Sequence, residues 1–153
     1  MEEKIRILNV EDLAFDSELA EREIRKVLPD CEFRRVETRE EYLRALDEFK
    51  PHLVISDYSL PTFDGLTALK LLLERTSLIP LIILTGSLNE DIAVECMKAG
   101  AVDYVLKEYI KRLGNAVLNA LEQSRIKAEA VKAQAEAQEK QRIIEKIAGT
   151  VPM

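Results

Sequence analysis

The chain has little of what secreted, metal-clustered or membrane proteins are made from. Its two cysteines, Cys31 and Cys96, lie far apart and in no metal-ligand spacing, so they read as reduced structural thiols and neither a zinc cluster nor a disulfide framework is expected. Its only histidine, His52, precedes an apolar run, which places it at the wrong end of a strand to join chemistry at the other end. No segment approaches the ~20 apolar residues of a membrane-spanning helix. The opening Met1-Glu2-Glu3-Lys4 leads into an apolar stretch without the length or flanks of a signal peptide, so a soluble cytoplasmic protein with no membrane contact is expected. The few glycines form neither the dinucleotide fingerprint nor a phosphate loop. With a net charge of -6 and no Lys/Arg stripe exceeding its acidic neighbours, the chain offers no nucleic-acid surface.

What is present is a packed domain, since 47% of the residues are apolar and 33% charged. Ile5, Ile7, Leu8 and Val10 make a first strand, and Ala14 to Leu28 a helix stopped by Pro29. Cys31 to Val36 alternates weakly, as an edge strand does, and Thr38-Arg39-Glu40-Glu41 is a capping box opening a helix through Phe49. His52 to Ser56 is a strand introduced by Pro51 and ended at Asp57, with Pro61 and Gly65 breaking the chain into a tight loop before a helix to about Arg75. Pro80 to Thr85 is apolar on both faces, as a central parallel strand is. Ser87-Leu88-Asn89-Glu90 caps a helix ending at Gly100, and Val102 to Lys107 is a fifth strand. Five βα units predict a doubly wound α/β fold, a parallel sheet with helices on both faces and the flavodoxin-like strand order 2-1-3-4-5.

In that order strands one and three are neighbours at the point where ligands bind, so Glu11, Asp12 and Asp57 converge. Like charges a few Å apart cost roughly 1 to 4 kcal/mol per pair, which a hard divalent cation such as Mg²⁺ relieves while leaving room for a phosphate oxygen. The fourth and fifth strand tips add Thr85 and Lys107, a hydroxyl and an ammonium suited to phosphoryl oxygens, and Asp57 is the candidate nucleophile of an acyl phosphate. Taken singly, Lys107 reads equally as a surface lysine, Thr85 as a strand-end hydroxyl and Glu11-Asp12 as a helix cap. Coincidence at four strand tips is what disfavours those readings together.

These residues resemble the receiver domain of bacterial two-component response regulators, the CheY-like family, from about Lys4 to Leu121. The likeness rests on Glu11-Asp12, Asp57 followed by Leu60-Pro61 and Asp64-Gly65, Thr85-Gly86, and Tyr104 three residues before Lys107. It implies that a histidine kinase or phosphotransfer protein donates phosphate to Asp57. It also implies that Asp12, Asp57 and the Ser59 backbone carbonyl hold Mg²⁺ with help from Glu11, that Thr85 and Lys107 bind the phosphoryl oxygens, and that Tyr104 switches inward. Ser59 and Ser87 are implied to tune hydrolysis by admitting or excluding water. On this reading the chain is a signalling module rather than an enzyme, catalysing only its own phosphoryl transfer and dephosphorylation. Two positions depart from the pattern: Glu11 stands where Asp is more usual, and Glu108 stands where a proline in a cis peptide usually follows the lysine. The alternatives are a Mg²⁺-dependent phosphohydrolase working through an aspartyl phosphate, against which no lid-sized insertion is found, and a receiver that binds partners without phosphorylation.

After Tyr109 the chain has no proline until Pro152 and no glycine between Gly114 and Gly149, and it predicts one long helix. A faint heptad of Val117, Leu121, Ala128, Val131 and Ala135 is interrupted by Ser124 and Gln138, and Ile143, Ile144 and Ile147 suggest packing near the end. Two readings stay open, a solvated Ala-rich helix and the coiled coil of a homodimer. No helix-turn-helix follows the domain, so output is expected to leave through this helix. The expected division is a receiver domain at 1–121, a helical extension at 122–148 and a tail at 149–153.

Overall fold

The computed structural model describes residues 3–150, with the Thr150 side chain and the two ends outside the description. The strands are β1 (Arg6–Val10), β2 (Glu32–Val36), β3 (Leu53–Ser56), β4 (Leu81–Thr85) and β5 (Asp103–Leu106), all parallel in the order β2-β1-β3-β4-β5. The helices are α1 (Ala14–Arg25), α2 (Arg39–Glu48), α3 (Gly65–Arg75), α4 (Glu90–Ala99) and α5 (Leu113–Thr150), with a 3₁₀ segment at Lys107–Arg112. This is the predicted doubly wound sheet with its long C-terminal helix.

The period-two alternation of the strands divides the core. Leu8, Val10, Val54, Leu81 and Ile83 pack against α2, α3 and the end of α4 through Tyr42, Leu46, Ala68, Leu69, Leu72 and Cys96. Ile7, Leu53, Ile55, Ile82, Leu84 and Val105 face the other way, onto Ala20 and Ile24 of α1 and Leu113, Ala116, Val117 and Ala120 of α5. Central strands buried on both faces explain the continuous apolar runs of β3 and β4.

Local chemistry sets the helix ends. The Thr38 hydroxyl accepts from the Glu41 N–H and the Glu41 carboxylate reaches back, the capping box in full. Asp64 caps α3 by accepting from Thr67 N–H at 2.8 Å. Gly100 closes α4 at φ +123°, a conformation that glycine adopts without a Cβ penalty. Several boundaries differ from expectation. Helix α1 ends at Arg25 rather than Leu28, because Val27 and Leu28 turn back to bond Ile24 O before Pro29. Asn89, not Ser87, caps α4, its side chain accepting from Ile92 N–H at 3.1 Å. Lys107 follows β5 instead of ending it, and the chain passes straight into the 3₁₀ segment, with no cis peptide among the described residues.

Both cysteines are buried, free thiols, and burial pushes both above the usual thiol range. His52 sits at the N-terminal end of β3, where its Nδ1 accepts from the Arg6 N–H at 2.9 Å. Burial, reinforced by the Arg6 charge, holds the imidazole below its ordinary value of 6.5. The folded chain therefore binds fewer protons at His52 than the unfolded chain, so this contribution to stability is present above 6.5 and is lost as pH falls through the lower folded value. Urea unfolding at about pH 7.5 and 5.5 is expected to show wild type losing more stability on acidification than His52→Ala; equal losses would contradict the assignment.

No helix among the described residues is long and apolar enough to cross a membrane.

Candidate functional site: a carboxylate cluster at the strand tips

The C-terminal tips of β1, β3, β4 and β5 line one crevice. Register sets Val10 opposite both Val36 and Ser56, and the ladder runs one residue further. Glu11 N–H donates to Val36 O at 3.0 Å and Asp57 N–H to Val10 O at 3.0 Å. The two acidic residues therefore leave the sheet on backbones already fixed, and both end up buried. Asp12, one residue on, is half-buried. Ligand oxygens of Glu11, Asp12 and Asp57 all lie within 4.8 Å of one another. At an effective dielectric of ~20, two carboxylates at that separation repel by about 3 to 4 kcal/mol.

Lys107 answers part of that repulsion. Its Nζ donates to Glu11 Oε1 at 2.7 Å, to Asp16 Oδ2 at 2.7 Å and to Asp57 Oδ2 at 2.8 Å, tying the tip of β5 to those of β1 and β3. Burial disfavours the ammonium, but the hydrogen bonds to Asp16, Asp57 and Glu11 outweigh it and hold Lys107 well above the usual lysine range. Glu11 goes up instead: its burial outweighs the help from Lys107, and the Asp57 charge adds to the rise. Four carboxylates, counting Asp12 and Asp16, against one ammonium leave a strongly anionic cleft.

The other predicted residues sit around this centre. Thr85 is buried at the end of β4, and the Lys107 side chain passes beside Gly86, where an added Cβ would stand 4.0 Å from Lys107 Cδ. Ser59 is exposed, its N–H donating to Asp57 Oδ1 at 3.3 Å, and it bridges to Asp64 at the start of α3. Tyr104 is half-buried on β5, with its hydroxyl donating to Ser87 O at 3.4 Å, and burial pushes its phenol up. Ser87 is exposed in the loop after β4. Arg112 fixes the neighbouring strand end with two bonds to Asp103, at 3.0 and 2.9 Å, and one to Tyr104 O at 2.9 Å.

Sequence reasoning missed Asp16. It lies in the first turn of α1, four residues after Asp12, where an acid also complements the helix dipole. The spacing put it near the acidic pair, but its bond to a lysine 91 residues away was not legible from either stretch. Its placement depends on Ser17, whose Oγ donates to Asn9 Oδ1 at 2.6 Å, while Asn9 Nδ2 donates to Ile55 O at 3.1 Å, pinning α1 to β1 and β3. Arg35 was missed as well; it donates to Glu11 O at 3.2 Å.

A cluster of converging acids, an ammonium and a hydroxyl on adjacent parallel strand tips defines the class of site, and comparison with known sequences places it. The chain belongs to the response regulator receiver domain family, which matches residues 7–119. Chemotaxis protein CheY of Listeria monocytogenes is 28% identical over 123 residues, covering 78% of this chain and 98% of CheY. DNA-binding transcriptional regulator NtrC of Proteus hauseri is 36% identical over 76 residues, 50% of this chain but only 16% of the length of NtrC. The crystal structure of the Mn²⁺-bound form of response regulator Rcp1 superposes with a TM-score of 0.63 at 25% identity, covering 72% of this chain and 90% of Rcp1.

Proposed function

We propose that this receiver domain accepts a phosphoryl group on Asp57 from a histidine kinase or phosphotransfer protein and passes the signal out through α5. Receiver domains of two-component systems are signalling modules, and the observation that carries the finer reading is the reach of Lys107. One ammonium spans from the β5 tip to carboxylates on β1, α1 and β3, within 2.8 Å of Asp57.

The donor set fits a hard cation. Three carboxylates within 4.8 Å, left in excess over their single ammonium, supply the oxygen ligands such an ion prefers. Glu11, Asp12, Asp57 and the backbone carbonyl of Ser59 would hold Mg²⁺, which supplies positive charge against the carboxylates and the phosphoryl oxygens. The chain's own residues do the rest. Asp57, its backbone tied to β1, presents a carboxylate oxygen to the phosphorus of a phosphohistidine. The new O–P bond forms as the P–N bond breaks, and the electron pair leaves on the nitrogen of an imidazole whose other ring nitrogen carries a proton, giving neutral imidazole and an acyl phosphate. Lys107 and Thr85 receive the phosphoryl oxygens, donating to charge as it develops. Asp16 keeps an anionic partner for Lys107 when Asp57 is modified. Tyr104 responds to the repositioned Thr85, and the exposed Ser59 and Ser87 admit the water that later hydrolyses the acyl phosphate.

The extension past about 121 acts as the output element, as a homodimer joined through the helix, and the protein works in the cytoplasm. Incubating the chain with a small-molecule phosphodonor and Mg²⁺ is expected to add the mass of one phosphoryl group to wild type and none to Asp57→Asn. Equal uptake by both, or none by either, would overturn this reading.

A further inference from the structure

We propose that Asp16 is a positioning residue for Lys107: it keeps the ammonium docked at the strand tips once a divalent cation has taken over Glu11 and Asp57. This rests on the cation reading above and goes beyond it, because it assigns a task to a residue outside the donor set.

The Lys107 ammonium has three N–H donors, and all three are engaged. Glu11 Oε1 accepts at 2.7 Å, Asp16 Oδ2 at 2.7 Å and Asp57 Oδ2 at 2.8 Å. The three acceptors are not alike. Glu11 and Asp57 are buried and belong, with Asp12, to the carboxylates whose oxygens converge within 4.8 Å. Asp16 stands outside that group, and its side chain keeps 25% of its exposure. It is therefore the one partner of Lys107 that a cation at the cluster leaves free.

Charge makes that difference count. Without a cation, two buried carboxylates hold Lys107 whether Asp16 is present or absent. With one, Glu11 and Asp57 direct their charge to the metal, and the ammonium lies beside charge of its own sign. Its attraction to the β1 and β3 tips falls, and water competes for it because its side chain is 19% exposed. Asp16 supplies the attraction that remains. A Lys107 docked on Asp16 alone has two donors free for phosphoryl oxygens, whereas an undocked one points into solvent and meets none.

The anchor itself does not depend on the cluster. Asp16 lies in the first turn of α1. Its neighbour Ser17 is buried and donates to Asn9 Oδ1 at 2.6 Å, and Asn9 Nδ2 donates to Ile55 O at 3.1 Å. Neither bond uses a site carboxylate, so cation loading leaves α1 in place. An acid serving only the helix dipole needs no particular partner, whereas this one meets a lysine that follows the edge strand β5.

Amine acetylation of the full chain, read residue by residue by peptide mass analysis, reports whether Lys107 is docked, with the exposed Lys132 as internal reference. Wild type is expected to protect Lys107 in chelator and in saturating Mg²⁺ alike. Asp16→Asn is expected to protect it in chelator and expose it in Mg²⁺, where acetylation runs at least about tenfold faster than in wild type, the scale of one lost charged hydrogen bond. Damage to the fold would expose Lys107 in both conditions, so the Mg²⁺ dependence separates positioning from structure. At saturating Mg²⁺, Asp16→Asn is also expected to take up phosphoryl groups at least about tenfold more slowly. Equal protection of Lys107 in the two chains with Mg²⁺, or its exposure by Mg²⁺ in wild type, would overturn the inference. Calorimetry tells the two readings apart. If wild type takes up no Mg²⁺, the cation reading fails and this inference with it. If both chains bind Mg²⁺ and Lys107 stays protected in Asp16→Asn, the inference fails alone. Loss of Mg²⁺ binding in Asp16→Asn would make Asp16 part of the cation site and overturn it as well.

Discussion

Lys107→Met is expected to lower unfolding free energy by about 3 kcal/mol in the presence of a chelator, the low end of what removing one partner of a buried ion pair costs. The low end applies because the Lys107 side chain keeps 19% of its exposure, so water softens part of the loss. The loss is still large because Glu11 and Asp57 are buried and both bond this one ammonium, with Asp16 as the third partner. Without it their repulsion is opposed only by proton uptake or by a cation. Adding Mg²⁺ is therefore expected to recover more stability in Lys107→Met than in wild type, since a ligand bound only by the folded state stabilises it by mass action. Urea unfolding of both chains, with chelator and with Mg²⁺, checks this. An unchanged midpoint for Lys107→Met in chelator would mean that the lysine is a surface residue after all.

Gly65→Ala is expected to be comparably severe for a steric reason. An added Cβ at Gly65 would stand 2.8 Å from Ile83 Cδ1, 2.9 Å from the backbone oxygen of Asp57 and 3.1 Å from Tyr58 Cα. The methyl of Ile83 can turn aside, but the two backbone atoms move only with the strand tip itself. Overpacking of this kind costs about 3 kcal/mol, and the displaced Asp57 should slow phosphoryl uptake at least about tenfold. Gly149→Ala is the control. Nothing lies within 4 Å of its added Cβ, so that exchange should be neutral or stabilise the helix by up to about 1 kcal/mol. Chemical denaturation and the uptake rate of the two variants, measured side by side, separate close packing at the site from a general intolerance of alanine; equal effects would remove the argument.

Local signals in the sequence were enough for the sheet and most helix starts. Thr38 with Glu41, Gly65 after Asp64, and the apolar run of β4 each act within a few residues, so the periodicity and capping rules that read them also build them. Strand order places the tips of β1 and β3 side by side, which is why Glu11, Asp12 and Asp57 group together from the sequence alone. What escaped depends on packing. Asp16 matters because α1 is pinned through Ser17 and Asn9, a side-chain contact with no period. The start of α5 at Leu113 rather than near Tyr109 follows from the 3₁₀ segment and the Arg112–Asp103 pair, in which the hydrogen bonds from Arg112 outweigh burial and hold the Asp103 carboxyl below its usual range. The faint heptad through Val117 lies on the side of α5 that docks on the domain, which only the packing of Val117 and the bond from Ser124 to Leu78 O reveal.

Chemical mapping of the modified residue tests the central claim most directly. After exposure to a phosphodonor with Mg²⁺, borohydride reduction converts an aspartyl phosphate to homoserine, which peptide mass analysis locates. The expected result is reduction at Asp57 alone, abolished when the cation is removed by chelator. Reduction at Asp12 or Asp16, or a phosphorylated chain with no reducible acyl phosphate, would contradict it.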